Sequence, residues 1–271
     1  MLLSTPPGLD EQGWSTAHHG FPDNPMIPSL APLYVGPLAD FAEKLQWRQT
    51  PRVDQAGDAF FAAKPFARFL DGLQVRHRTD ERIALASLWS KWYFSTFLGP
   101  YMGANLLLQR QLPIALEQTG LVLGDDDRPQ ALHLASDGQL IEHREGFARF
   151  HDLIEHHLTP VIQSLASATG ASPRLFWSNA GNTFEFVTTR LELHPLAVSG
   201  CTAAAHEVLN ARLLPDGRRN PLFAPVRYLP AAPGDEEPPR LRRICCIRYR
   251  LAGVGYCSSC PLECRHAART R

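Results

Sequence analysis

The sequence predicts an α+β fold: a mostly helical body with a small antiparallel sheet, followed by a short cysteine-rich C-terminal module. Three observations point there. Apolar residues recur at helical spacing through most of the middle of the chain. Short β-prone pieces, separated by Gly and Asp, are confined to residues 121–143. Five of the six cysteines fall between Cys245 and Cys264. With 271 residues and 44% hydrophobic content, the chain can bury a real core.

Residues 1–35 are rich in Pro and Gly without periodicity and read as an irregular arm over the surface. The first long helix is signalled at Thr79-Asp80-Glu81-Arg82, ahead of Leu85, Leu88, Trp89, Trp92 and Phe97 at helical spacing. Gly99-Pro100 is expected to end or kink it, with a second helical stretch through Leu106 to Leu112. Leu121 to Leu123, Ala131 to Ala135 and Leu140 to His143 then supply the small antiparallel sheet. A regular helix follows from about Glu145 to Thr169, with Phe147, Phe150, Ile154, Leu158, Val161 and Leu165 as one stripe, a bend at Pro160 and a stop at Gly170. Ser172-Pro173 opens another helix by the cap-then-proline rule, with Leu175, Phe176, Ala180 and Phe184 inward. A further helix is expected from about Thr202 to Leu213.

These elements divide the chain into an arm (1–35), a helical body (36–230), a Pro/acidic linker (231–239) and a cysteine module (240–271). Formal net charge is zero, which argues against general nucleic-acid binding. The charge is nonetheless uneven: from Arg240 onward eight Arg oppose one acid, Glu263, so the tail is +7 and the remainder −7. The opening residues lack a basic start and sustained apolar stretch, and no apolar run reaches the roughly 20 residues that span a bilayer. A cytoplasmic chain without a transmembrane segment is the expectation. In that compartment a late cysteine cluster reads as a metal or redox site before it reads as disulfides.

Cys245 and Cys246, ten intervening residues, then Cys257 and Cys260 in a Cys-x-x-Cys turn supply four thiolates. Thiolates bind iron and zinc strongly, and four suit an iron–sulfur core. Gly253 and Gly255 let the intervening loop turn back. A structural zinc site would use the same sulfurs, although zinc motifs space paired cysteines two to four apart whereas Cys245 and Cys246 are adjacent. Cys264 is a candidate to replace one of the four. Cys201, ahead of small residues, reads as a packed cysteine. Pro261 stands where a c-type haem motif needs His.

Arg242-Arg243-Ile-Cys245-Cys246-Ile-Arg-Tyr249, followed by Cys257-Ser-Ser-Cys260-Pro261, resembles the C-terminal signature of the FhuF-like ferric siderophore reductases. Ser87-Leu-Trp89-Ser-Lys-Trp92-Tyr93 and Phe176-Trp177-Ser-Asn179 resemble further segments of that family. The resemblance implies a [2Fe–2S] cluster held by Cys245, Cys246, Cys257 and Cys260, and cytoplasmic reduction of Fe(III) in hydroxamate-type siderophores bound by the helical body. Cys264 and the acidic-proline linker have no counterpart in that pattern. One-electron reduction of hard Fe(III) to softer Fe(II) weakens its bonds to anionic oxygens and frees the iron. No Gly-x-Gly-x-x-Gly follows a strand, so electrons are expected from a separate donor such as a ferredoxin or a flavin reductase. The alternatives are a zinc-stabilised binding or adaptor protein and a siderophore-handling protein with a redox-sensing cluster.

Beyond the cluster ligands no catalytic residue is expected. Arg242, Arg243 and Arg248 are candidate contacts for an anionic substrate or donor, and Trp177 with Asn179 are candidates for a substrate surface. Trp89, Trp92 and Tyr93 read as core. His151, His156 and His157 read as solvated histidines on or beside the polar face of their helix.

Overall fold

In the computed structural model, residues 26–47, 56–142, 146–230 and 238–263 are described. Cys264, residues 1–25 of the arm and residues 231–237 of the linker lie outside them. The described chain opens with two 3-10 turns, Pro28–Leu33 and Gly36–Phe41, which sink Ile27, Leu30, Leu33 and Leu38 into the core. Strand β1 (Leu45–Trp47), a single helical turn α1 (Gly57–Phe60) and helix α2 (Ala63–His77) follow. α2 buries Phe66, Leu70 and Leu73 and ends at Arg78 in the left-handed region, with Arg76 and His77 in its last turn facing the helix's negative end.

Helix α3 (Arg82–Leu106) is the centre of the fold. Of its 25 residues only Arg82, Ile83, Lys91, Trp92 and Ser95 are not buried, the mark of a helix enclosed on all sides. It runs through Gly99-Pro100 without ending there. Surrounding contacts outweigh the one backbone bond that proline forfeits. Gly99 and Gly103 let the 3-10 turn approach closely: a side-chain carbon at Gly103 would stand 2.7 Å from Leu38, and one at Gly99 3.1 Å from Phe41. The second helical stretch expected through Leu106–Leu112 is instead the end of α3 and a two-residue strand, β2 (Arg110–Gln111).

The expected sheet is present with different partners. β3 (Thr119–Leu123) pairs antiparallel with β4 (Pro129–Leu134), and β1 adds to β4 in parallel, matching Leu45 to Leu132. β5 (Gln139–Leu140) joins β2 in a separate ribbon. The long helix comprises α4 (Gly146–His151), a π-helical stretch (Asp152–Leu158) and α5 (Thr159–Thr169), stopped by left-handed Gly170. Thr159 bonds back to the Ile154 carbonyl, five residues earlier, immediately before Pro160, so the expected bend is a widened turn. α6 (Pro173–Leu191) starts as expected, with Ser172 Oγ accepting from the Arg174 amide, and packs along α3. α7 (Ala203–Asn210) is shorter than expected. Finally β6 (Val226–Tyr228) and β7 (Arg240–Arg242) form an antiparallel ribbon that ties the cysteine segment to the body. The α+β class holds, and among the described residues no helix is long and apolar enough to cross a membrane.

Candidate metal centre

β7 is anchored before the cysteines begin. Arg240 reaches α6, where its Nε donates to Glu185 Oε2 at 2.6 Å and its Nη2 to the Asn182 carbonyl at 2.8 Å. Two residues on, and so on the same face of the strand, Arg242 is completely buried. Its backbone amide donates to Ser259 O at 2.9 Å, and its guanidinium donates to Asn179 Oδ1 and to Ser178 Oγ. Asn179, 1% exposed, passes the network to α3: its Nδ2 donates to Ser87 O, Ser87 Oγ and Ser90 Oγ at 2.9–3.0 Å. Ser87 Oγ donates in turn to the Cys246 carbonyl at 2.8 Å. Thus α3 and α6 hold the cysteine backbone through one chain of buried polar groups.

The chain turns sharply at Ile247 (φ +52°), and Gly253 and Gly255 (φ +74° and +63°) return it, as the glycine spacing implied. Cys246, Cys257 and Cys260 are buried and Cys245 is half-buried, in a cluster separate from the main core. Cys245 Sγ lies 3.9 Å from Cys260 Sγ, and Cys246 Sγ 3.8 Å from Cys257 Sγ. With metal–sulfur bonds of about 2.3 Å, two sulfurs on one tetrahedral ion stand about 3.8 Å apart. Each of these two separations matches what sulfurs sharing one ion would need. Among the described residues the only His/Cys/Asp/Glu trio whose ligand atoms lie within 4.8 Å of one another is His151, Asp152 and His156, so no three of the sulfurs do. The sulfurs run as a chain, Cys260–Cys245–Cys246–Cys257, rather than closing around one point, which suits a two-iron core better than a single tetrahedral zinc.

The electrostatics agree. Cys246 is driven far below the usual thiol range by hydrogen bonds from Cys245 first and Cys257, with Arg242 and Lys91 assisting, while Cys245 and Cys257 are pushed up. Lys91 Nζ stands 3.9 Å from Cys246 Sγ. Arg242 is the decisive residue. Burial pushes its guanidinium down and the neighbouring sulfurs pull it back, yet its Nε and Nη1 have no partner among the described residues. A buried cation with unpartnered donors beside four cysteines is costly unless an anionic group sits there. A four-thiolate [2Fe–2S] core, formally −2 when oxidised, is such a group.

Sequence comparisons with known proteins point the same way. A family described as "Ferric iron reductase FhuF-like transporter" matches residues 87–236, and one described as "FhuF 2Fe-2S C-terminal domain" matches residues 242–262. The chain belongs to the FhuF-like ferric iron reductase family. It is 27% identical over 185 residues, 68% of this chain and 67% of the relative, to the ferric siderophore reductase of Escherichia coli (strain K12). This FhuF-like chain is thus an oxidoreductase acting on chelated ferric iron through a [2Fe–2S] domain.

The other candidates separate. Arg242 and Asn179 lie in the interior, bonded to each other. Arg243 and half-buried Trp177 line a pocket of about 750 Å³, together with Arg174, Arg212, Arg219 and Phe223. Its wall includes Ile244, next to Cys245, and no acid. Among the described residues none of those four arginines is in an ion pair. Arg248 Nε donates to the Gly255 carbonyl at 3.1 Å and its Nη2 to the Tyr256 carbonyl, bracing the loop before Cys257. Cys201 lies between α6 and α7, outside the cluster. Ser87, Ser90 and Lys91, at i, i+3 and i+4 on α3, fall in the Ser87–Tyr93 segment that carries the family resemblance, but their role is not legible there; in the residues themselves the signal is a polar stripe inside an otherwise apolar helix. His157 corrects the expectation of a solvated side chain. It is buried, Nε2 bonded to Tyr93 Oη at 2.8 Å and Nδ1 to the Ile114 carbonyl at 2.6 Å, and burial lowers its pKa to about 4.

Proposed function

We propose that this chain reduces Fe(III) held by a hydroxamate-type siderophore in the cytoplasm, with Cys245, Cys246, Cys257 and Cys260 as the cluster ligands. The observation that carries it is the chain of four sulfurs beside a buried, under-partnered Arg242, next to a pocket lined by arginines. When bound, the [2Fe–2S] cluster would supply one-electron chemistry, with a separate ferredoxin or flavin reductase as the donor and Fe(III), going to Fe(II), as the acceptor. The chain's own residues do the rest. Arg174, Arg212, Arg219 and Arg243 donate hydrogen bonds to chelate oxygens, and Trp177 and Phe223 offer flat apolar surface. Ile244 makes the pocket wall contiguous with Cys245, so the chelate docks within a short span of the sulfurs. Arg242 and Lys91 hold positive charge against the sulfurs, which favours the state carrying the extra electron.

The test is anaerobic purification with metal analysis and electron transfer. The expected result is about two iron and two acid-labile sulfide per chain. Visible absorption should be bleached by dithionite, left unchanged by NADPH alone and restored by a ferric hydroxamate, with Fe(II) captured by a chelator. Stoichiometric zinc would overturn the cluster assignment. Reoxidation without Fe(II) release would make the chain a redox sensor.

A further inference from the structure

A second pocket, of about 730 Å³, adjoins the first in sequence: Leu213 and Arg219 line the arginine pocket, whereas Leu214, Pro215, Asp216 and Arg218 of the same loop line the other. Its opposite wall is the π-helical turn, with His151, Asp152, Glu155 and His156. The two pockets thus differ in chemistry, arginine and aromatic against imidazole and carboxylate.

The π-turn makes this grouping. In an α-helix residues five apart point roughly 140° away from each other, so His151 and His156 would diverge. The widened turn over Asp152–Leu158 brings them onto one face, with ring centroids 5.3 Å apart. Imidazole nitrogens of His151 and His156 and a carboxylate oxygen of Asp152 all lie within 4.8 Å of one another. Asp152 is held from behind. Gln111 Nε2 donates to its Oδ2 at 3.3 Å, and Asn105 Nδ2 donates to Gln111 Oε1 at 3.1 Å. Such outer bonds fix a carboxylate as ligation requires. Both histidines are exposed and Asp152 half-buried, so an ion can enter from solvent. Arg218, the cation in this pocket, is paired with Glu155 at 2.8 Å and Asp216 at 2.5 Å.

We propose that His151, Asp152 and His156 form a divalent-cation site for Fe(II). Two imidazoles and one carboxylate with open positions suit Fe(II) and its first-row neighbours, not Mg(II) or Ca(II), which prefer oxygen ligands. The choice of Fe(II) rests on the reductase activity: reduction of a ferric chelate yields Fe(II), and the two pockets share a loop. The site itself stands on its own geometry.

The test titrates Co(II), anaerobically, into the full cluster-loaded chain, followed by calorimetry. One Co(II) per chain is expected. His151→Ala/His156→Ala should weaken it about ten-fold or more, and Asp152→Asn, which keeps an acceptor for Gln111, should weaken it less. His206→Ala, at an exposed histidine elsewhere, should leave it unchanged, and the visible cluster spectrum reports that each variant is folded. Fe(II) should displace Co(II), and Mg(II) at equal concentration should not. No Co(II) binding, or unchanged affinity in the double variant, overturns the site; failure of Fe(II) to compete overturns its assignment. None of these arms requires reduction of a ferric chelate, so a chain that binds Fe(II) but is not reoxidised by one would break the proposed function alone.

Discussion

Helix α3 faces two regions that hold together by different means. Trp89 and Tyr93 enter an aromatic core with Phe60, Phe61, Phe66 and Phe69, whose neighbouring rings lie 5.0–6.1 Å apart, many edge-to-face. Ser87, Ser90 and Lys91, on the same helix, enter a polar network with Asn179, Arg242 and Cys246. The first is stabilised by apolar area and close packing, about 1.5–3 kcal/mol for each large side chain buried. The second gains little from area, and its cation keeps two donors unpartnered. The difference teaches what each is for: one region is finished by folding, the other when a charged group is seated.

The largest effect that can break this contrast is loss of the ligands. Cys257→Ser is expected to abolish the visible absorption and labile iron, and Cys201→Ser to leave both intact. A cluster lost in Cys201→Ser would mean the four sulfurs are not the ligand set. Next, Phe66→Ala, with no exposed surface in the native side chain, should cost about 3–5 kcal/mol in denaturant unfolding and leave the cluster's potential unchanged in the folded protein. A shifted potential would couple the two regions.

His157 tests the aromatic side by pH. Its pKa falls from 6.5 unfolded to about 4 folded. Between those values the unfolded chain binds a proton that the folded chain does not, so stability falls as pH drops from 6.5 to 4 and levels off below. The contribution is about 3 kcal/mol, from roughly 1.4 kcal/mol per pH unit. His157→Gln should flatten this limb of a pH–stability profile; an unaltered limb would show that other groups govern it.

Arg242 tests the polar side. The reduced core carries one more negative charge than the oxidised, so removing a buried cation lowers the potential. At an effective dielectric of about 20 and a separation of about 6 Å the interaction is roughly 2–3 kcal/mol, on the order of 100 mV for one electron. Arg242→Gln should show that drop in spectroelectrochemical titration, independent of salt because the site is buried. An unchanged potential would mean that Arg242 only supports the backbone.

The sequence disclosed these regions unequally. Cap chemistry at Ser172-Pro173 and the stripe from Phe150 to Leu165 are local signals, and both helices formed where expected. The cysteine spacing is local too. α2 was missed because Ala62, which has no side-chain oxygen, stands at its cap, and β1 because its parallel pairing with β4 bridges residues 45 and 132. The expected polar face for His157 assumes α-helical periodicity, whereas the backbone there is π-helical. Nothing in Arg240-Leu-Arg-Arg says which arginine is buried: Arg240 and Arg242 share one face of β7 and both bond to α6, and only the packing there leaves Arg240 partly exposed and Arg242 enclosed.

The smallest effect, and the sharpest for the contrast between buried and surface charge, belongs to Arg248. It carries the same charge as Arg242, in the loop between the two cysteine stretches, but more openly and with its guanidinium spent on the Gly255 and Tyr256 carbonyls. Solvent screening should hold its influence on the potential to a few tens of mV at low salt, shrinking as ionic strength approaches physiological and the Debye length falls to about 8 Å. Arg248→Glu reverses the charge and removes the loop's brace together, so Arg248→Lys is its necessary companion: it keeps the charge and loses the forked donors. If charge is what matters, Lys restores both the potential and the rate of reoxidation by a ferric chelate, and the deficit of Glu fades with salt. If the brace is what matters, Lys fails as Glu does, at every salt concentration, and labile iron is lost from both. A deficit in Arg248→Glu as large and as salt-independent as that of Arg242→Gln would erase the distinction between a surface cation and a buried one at this centre.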